Sequence, residues 1–184
     1  MEQLALLGGP QAVTLDYETV GNLPRVPEGA YASVEELMRK GEISFSPLVR
    51  KFEERFAAYV GAKYALAINN GTSSLHTALF AVGIQPGDEV LVPSYTFWAT
   101  VVPVVSAHGV PVFCDVDPET FCITPEEIEK HITPKTKAIM LVHVWGNPCD
   151  MDGILAVAKK HGLKVIEDCS HAHGATYHGK KVGT

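Results

Sequence analysis

The chain has 184 residues, 46% of them hydrophobic, enough to bury one sizeable core, and its 15 basic against 21 acidic residues give a net charge of −6. The basic residues are scattered singly or in pairs with no stripe to track a phosphate backbone, which argues against nucleic acid as a partner. No charged-then-apolar signal pattern opens the chain and no apolar run approaches a membrane span, so a cytoplasmic protein without a membrane partner is expected.

Residues 1–29 hold scattered Gly and Pro, including Gly8-Gly9-Pro10 and Leu23-Pro24-Arg25-Val26-Pro27, and read as an extended arm ahead of a domain spanning 30–184. Ser33-Val34-Glu35-Glu36 has the capping-box pattern of a helix start. Pro47 to Val60 puts Leu48, Phe52, Phe56 and Tyr59 on one face of a helix that Gly61 ends. From Lys63 onward apolar runs alternate with helical patterns: strand 64–68, helix 73–82, strand 89–92, helix 95–107, strand 111–115, helix 125–132, strand 137–143, helix 150–161, strand 163–167. This rhythm predicts an α/β fold with a mainly parallel sheet covered on both faces. Gly83, Gly109 and Gly162 stand where helix ends take a left-handed residue, and Thr124-Pro125-Glu126-Glu127 has a Thr cap, proline at the first helical position and acids in the first turn. Residues 175–182 alternate around a turn and read as a small hairpin. Cys114, Cys122, Cys149 and Cys169 have no CxxC spacing and are expected to be reduced and buried.

Three places carry candidate chemistry. Between the apolar 64–68 run and the next helix, Asn69-Asn70-Gly71-Thr72-Ser73-Ser74 offers hydroxyls and free amides at a helix N-terminus, either a phosphate seat or a plain cap. No GxGxxG or GxxxxGK[ST] pattern points to a dinucleotide or a nucleoside triphosphate. Val165-Ile166-Glu167-Asp168 is an apolar strand ending in two carboxylates, and open α/β sheets build ligand crevices at strand carboxyl ends; Asp168 is either a site acid or a buried ion-pair or loop acid. Tyr95-Thr96-Phe97-Trp98 places aromatics just past another strand end, to stack on a flat ligand or to begin a core helix. Cys169, His171, His173 and His143 fit no zinc spacing, so no metal is expected, and His76, His108 and His161 read as structural or solvent-facing.

Taken in order, Asn70-Gly71-Thr72-Ser73-Ser74-Leu75-His76, Pro86-Gly87-Asp88-Glu89-Val90, Val92-Pro93-Ser94-Tyr95-Thr96-Phe97, Asp115-Val116-Asp117, Thr133-Pro134-Lys135-Thr136-Lys137-Ala138-Ile139 and Glu167-Asp168-Cys169-Ser170-His171-Ala172-His173-Gly174 resemble the sugar aminotransferases called DegT/DnrJ/EryC1/StrS, over about Phe45 to Thr184. The resemblance implies the three-layer large domain of the pyridoxal-phosphate transferases, incomplete at the C-terminus and without the small C-terminal domain. It implies pyridoxal 5'-phosphate as cofactor, with Gly71, Thr72 and Ser73 at the phosphate, Phe97 on the pyridine ring, Asp168 at the pyridine nitrogen and His171 near the phenolic oxygen. Asp168 and His171 would be the catalytic residues in this stretch. The lysine that forms the Schiff base would lie beyond Thr184, since Lys180 and Lys181 belong to the hairpin, and the 184 residues alone are expected to be inactive.

The implied reaction moves an amino group from glutamate or glutamine to a nucleotide-linked keto-sugar or a keto-cyclitol, in a homodimer. Two rivals follow from the same resemblance: a cofactor-dependent sugar dehydratase in which histidine replaces the lysine, and a non-catalytic regulatory homologue.

Overall fold

The computed structural model describes residues 9–10, 26–44 and 46–184. Two compact units divide the chain at Ser46/Pro47. The predicted arm therefore lies largely outside the described residues. In the first unit, helix α1 (Glu28–Lys40) begins directly after Pro27, five residues ahead of the predicted capping box. Ser33 is interior to it and its hydroxyl donates to the Gly29 carbonyl one turn back, the alternative use of a helical serine.

The second unit opens with α2 (Pro47–Val60) and α3 (Gly71–Val82). It continues through β1 (Glu89–Pro93), α4 (Trp98–Ser106), β2 (Val110–Cys114), α5 (Pro125–His131), β3 (Thr136–Val142), α6 (Met151–His161) and β4 (Lys164–Asp168). A two-stranded ribbon, β5 (Thr176–Tyr177) with β6 (Lys180–Lys181), closes it as the predicted hairpin. The four long strands form one parallel sheet in the order β2-β1-β3-β4, with a one-residue slip between β1 and β3 after Glu89.

Alternation along the strands sorts the core into two layers, as a parallel sheet buried on both faces requires. Val90, Val92, Ala138, Met140 and Ile166 pack beneath Leu75 and Leu79 of α3 and Val104 of α4. Their sequence neighbours Leu91, Ile139 and Leu141 face the other way, onto Ile128 of α5 and Met151, Ile154 and Val157 of α6. Cys114, Cys122 and Cys149 are free and buried in the second layer, and Cys169 is free and half-buried.

Two expectations change on folding, at 64–68 and at Gly109, and a third feature is exposed. Residues 64–68 form no strand; Tyr64 and Leu66 are exposed, and no neighbour among the described residues offers a ladder, so Ala67 N–H goes to Glu53 Oε1 at 2.9 Å instead. The Leu48, Phe52, Phe56 and Tyr59 face exists, with Phe52 and Phe56 stacked at 5.6 Å, but it is exposed and only Ala57 of α2 is buried. Gly109 does not take the left-handed turn, which falls to His108. Glycine is needed at 109 because a Cβ there would stand 3.2 Å from the Asp88 and Val104 carbonyls. Smaller differences lie at helix starts. Helix α3 begins at Gly71, because Asn70 Oδ1 caps the Ser73 amide at 2.8 Å, and α4 begins only at Trp98, leaving 94–97 as loop.

Candidate active site

The chain leaves β1 toward β2 on one side and returns across β1 to β3 on the other. Loops diverge at that reversal, and a crevice opens at the carboxyl ends of the strands. A cavity of about 500 Å³ occupies this place. It is walled by Tyr95, Thr96 and Phe97 after β1, by Val144 and Trp145 after β3, by Asp168, Ser170 and His171 at and after β4, and by Gly71 and Thr72 at the start of α3.

Asp168 ends β4 and is 7% exposed. Its Oδ2 accepts from Thr100 Oγ1 at 3.0 Å, and its Oδ1 accepts from the Ser170 amide at 3.0 Å and the Ser170 hydroxyl at 2.6 Å. Because Thr100 gives its proton to Asp168, the 2.8 Å contact between Thr96 and Thr100 has Thr96 as donor. All these donors are neutral, and among the described residues no cationic side chain pairs with Asp168. A buried carboxylate held by hydroxyls and one amide, opening on a cavity, is suited to a cation brought by a ligand.

At the start of α3, the Asn70 cap takes the Ser73 amide, while the Gly71 and Thr72 amides have no partner among the described residues. Two free N–H groups and the Thr72 hydroxyl at the positive end of a 12-residue helix suit an anion. His171 is exposed, and its Nδ1 accepts from the Trp145 amide at 3.3 Å, so in the neutral ring the proton sits on Nε2.

The structure thus gathers Gly71, Thr72, Phe97, Asp168 and His171 around one space; Ser73 does not line it. Thr100 and Ser170 were not foreseen. Ser170 stands in the resembling 167–174 stretch, two residues after the strand-end acid, without a role of its own there, and Thr100 lies 68 residues from its partner.

Just behind Asp168, His143 is fully buried at the end of β3. Its Nδ1 accepts from the Cys149 amide at 3.0 Å, so Nε2 holds the proton and donates to Glu167 Oε2 at 2.9 Å; the same oxygen accepts from the Gly183 amide at 2.8 Å. His143, Glu167 and Cys169 bring their ligand atoms within 4.8 Å, but the ring offers no lone pair, and burial, with the Glu167 and Asp168 charges adding to it, pushes the Cys169 thiol up to about 12. The cluster therefore serves as a tie between β3, β4 and the turn after the ribbon, with a neutral thiol beside it.

Comparison with known proteins adds an independent line. The sequence pattern of the DegT/DnrJ/EryC1/StrS aminotransferase family matches residues 25–184. GDP-perosamine synthase of Caulobacter vibrioides is 52% identical over 141 residues, which cover 77% of this chain and 38% of that protein. L-glutamine:2-deoxy-scyllo-inosose aminotransferase of Streptomyces fradiae is 42% identical over 167 residues, 87% of this chain and 39% of the other. Among solved structures, an aminotransferase from Psychrobacter cryohalolentis superposes with a TM-score of 0.86 at 46% identity, covering 88% of this chain and 42% of its own. NtdA of Bacillus subtilis, solved with bound cofactor PMP, gives 0.79 at 35% identity over 86% and 39%. The chain spans about two fifths of the length of the curated relatives it matches.

Proposed function

We propose, from the premise that this chain belongs to the DegT/DnrJ/EryC1/StrS aminotransferase family, that it forms the cofactor-binding wall of a pyridoxal-phosphate-dependent aminotransferase. The transfer runs from glutamate or glutamine to a nucleotide-linked keto-sugar or a keto-cyclitol, the acceptor kinds that the names of its relatives indicate. The observation that carries this reading is the buried Asp168 carboxyl, supplied with neutral donors, with no cationic partner among the described residues, and opening on the crevice.

The residues present fit the cofactor's three chemical ends. Asp168 holds a proton at the pyridine nitrogen, and that charge is what lets the bound ring draw electrons from the reacting carbon. The Gly71 and Thr72 amides and the Thr72 hydroxyl receive the phosphate dianion, with Ser73 supporting the turn through its cap. Phe97, on the cavity wall, would cover the ring face, and His171, whose Nε2 keeps its proton, would donate to the phenolic oxygen. None of these contacts uses a lysine. Lys180 and Lys181 sit in the ribbon, Lys181 Nζ lying 4.5 Å over the Tyr59 ring, so neither takes the part of the covalent anchor.

A homodimer belongs to the same reading, supported by the exposed aromatic face of α2, and so does a cytoplasmic location, supported by four free thiols; no helix among the described residues is long and apolar enough to cross a membrane.

The test uses the full-length protein. Pyridoxal phosphate should load with a visible absorbance band, and glutamine or glutamate should bleach that band. Asp168→Ala should remain folded by circular dichroism and lose turnover. Retained turnover in that variant, or no cofactor uptake by the parent protein, would overturn the assignment.

A further inference from the structure

Tyr95, Phe121 and Trp145 come from the loops after β1, β2 and β3, three adjacent strands whose carboxyl ends point the same way. Their rings form a closed triangle, with centroids 5.5 Å apart for Tyr95 and Phe121, 6.0 Å for Tyr95 and Trp145, and 5.4 Å for Phe121 and Trp145. Tyr95 and Trp145 line the cavity, and Phe121 packs against both. The cluster is not core. Trp145 is 66% exposed, Tyr95 44% and Phe121 37%, an arrangement that leaves large apolar faces in water.

The triangle is also rigidly built. Phe121 and Trp145 have φ of 59° and 51°, a conformation that bulky side chains rarely adopt unless the surroundings impose it. Asp117 imposes it on the first loop: its carboxylate takes the Glu119 and Thr120 amides and the Thr120 hydroxyl, and its carbonyl takes the Phe121 amide at 2.8 Å. Asn147 stitches the second loop to the first by donating to the Thr120 carbonyl at 3.2 Å. The Trp145 amide is fixed on His171. Fixed aromatic faces that remain open to a cavity are pre-organised for a ligand, because little side-chain entropy is lost when they are covered.

We infer that this aromatic collar is the acceptor-binding face of the cavity, stacking against the C–H face of a six-membered polyol ring, sugar or cyclitol. The inference rests on the proposed function and adds to it the residues that select the acceptor. The chemistry is specific in kind. A polyol ring has an apolar face of axial hydrogens and a polar rim, and the collar supplies ring faces for the former and the Tyr95 hydroxyl for the latter. The collar carries no charged side chain of its own. The acid, hydroxyl and amide groups suited to the cofactor, at Asp168, Ser170 and Thr72, belong to the same cavity and not to the collar.

The experiment is saturation-transfer NMR on the full-length, cofactor-loaded protein with 2-deoxy-scyllo-inosose and methyl α-D-mannopyranoside as ring probes and 2-oxoglutarate as an acyclic control. Trp145→Asn removes the ring while tolerating a left-handed backbone, and Tyr95→Leu removes a second face. Each should lower transfer to the ring C–H hydrogens at least fivefold, Trp145→Tyr should restore at least half of it, and transfer to 2-oxoglutarate and the visible cofactor band should not change. Equal transfer in the parent and in Trp145→Asn, or none to either ring probe in the parent, would overturn the inference. Failure of the cofactor reading shows separately, as a missing absorbance band.

Discussion

A carboxyl group buried as deeply as Asp168 gives up its water, and its position is tolerable only because neutral donors replace that water on both oxygens. Removing one of them, by Thr100→Val, takes a hydrogen bond to a group that must carry charge when the cofactor is bound. Such bonds contribute roughly 1.5–3 kcal/mol, so the affinity for pyridoxal phosphate should fall about tenfold to a hundredfold, and Thr100→Ser should recover most of it. Fluorescence titration of the apoprotein measures this directly; an unchanged dissociation constant in Thr100→Val would show that the Ser170 donors suffice. The sequence makes Asp168 visible because an acid at the end of an apolar run is legible locally. Thr100 is invisible there, since a threonine inside a helical pattern is ordinary and its partner is 68 positions away.

At the level of elements, the sequence reveals what depends on local chemistry and misjudges what depends on neighbours. The αL residues Gly83 and Gly162, the Thr124 cap and the Lys180–Lys181 ribbon follow from side chains within a few positions. The 64–68 run is apolar throughout, as a buried strand is, yet a strand is defined by its ladder, and none of the described residues provides one. The collar aromatics escaped for a related reason: Tyr95 alone was singled out, and Phe121 and Trp145 join it only because three strands lie side by side. Helix α3 supplies a prediction at this scale. Asn70→Ala removes the acceptor of the Ser73 amide, a change costing about 1 kcal/mol at helix N-caps. Hydrogen exchange at Ser73 and Ser74 should speed up about fivefold, and Asn70→Asp should restore protection.

Across the second unit as a whole, several carboxylates are held below their ordinary range by partners formed on folding. The Thr120 amide and hydroxyl lower Asp117, Lys130 lowers Glu127, and Lys160 with His161 lowers Glu129. A depressed folded-state pKa contributes stability that is present above the unfolded value and lost as pH falls through the folded one. Urea denaturation midpoints should therefore be flat from pH 7 down to the carboxylate range near 4.5 and drop below it, and Glu129→Gln, which unties α5 from Lys160 and His161 on α6, should make that drop shallower. An acid limb as steep as the parent's would remove Glu129 from this account.

The order of strands in the sheet also has a consequence for how the chain reaches its fold. Strand β1 pairs with β2 about twenty residues downstream, but its other edge is covered by β3, which begins 47 residues after β1 does, at Thr136 against Glu89. A chain emerging from the ribosome makes β1, α4 and β2 well before β3, and until Ile139 has appeared that edge of β1, a row of N–H and C=O groups on an apolar strand, lacks its β3 partner. Long-range parallel pairing of this kind closes slowly, so the interval between β2 and β3 is when the nascent protein is most exposed to self-association and has most to gain from a chaperone.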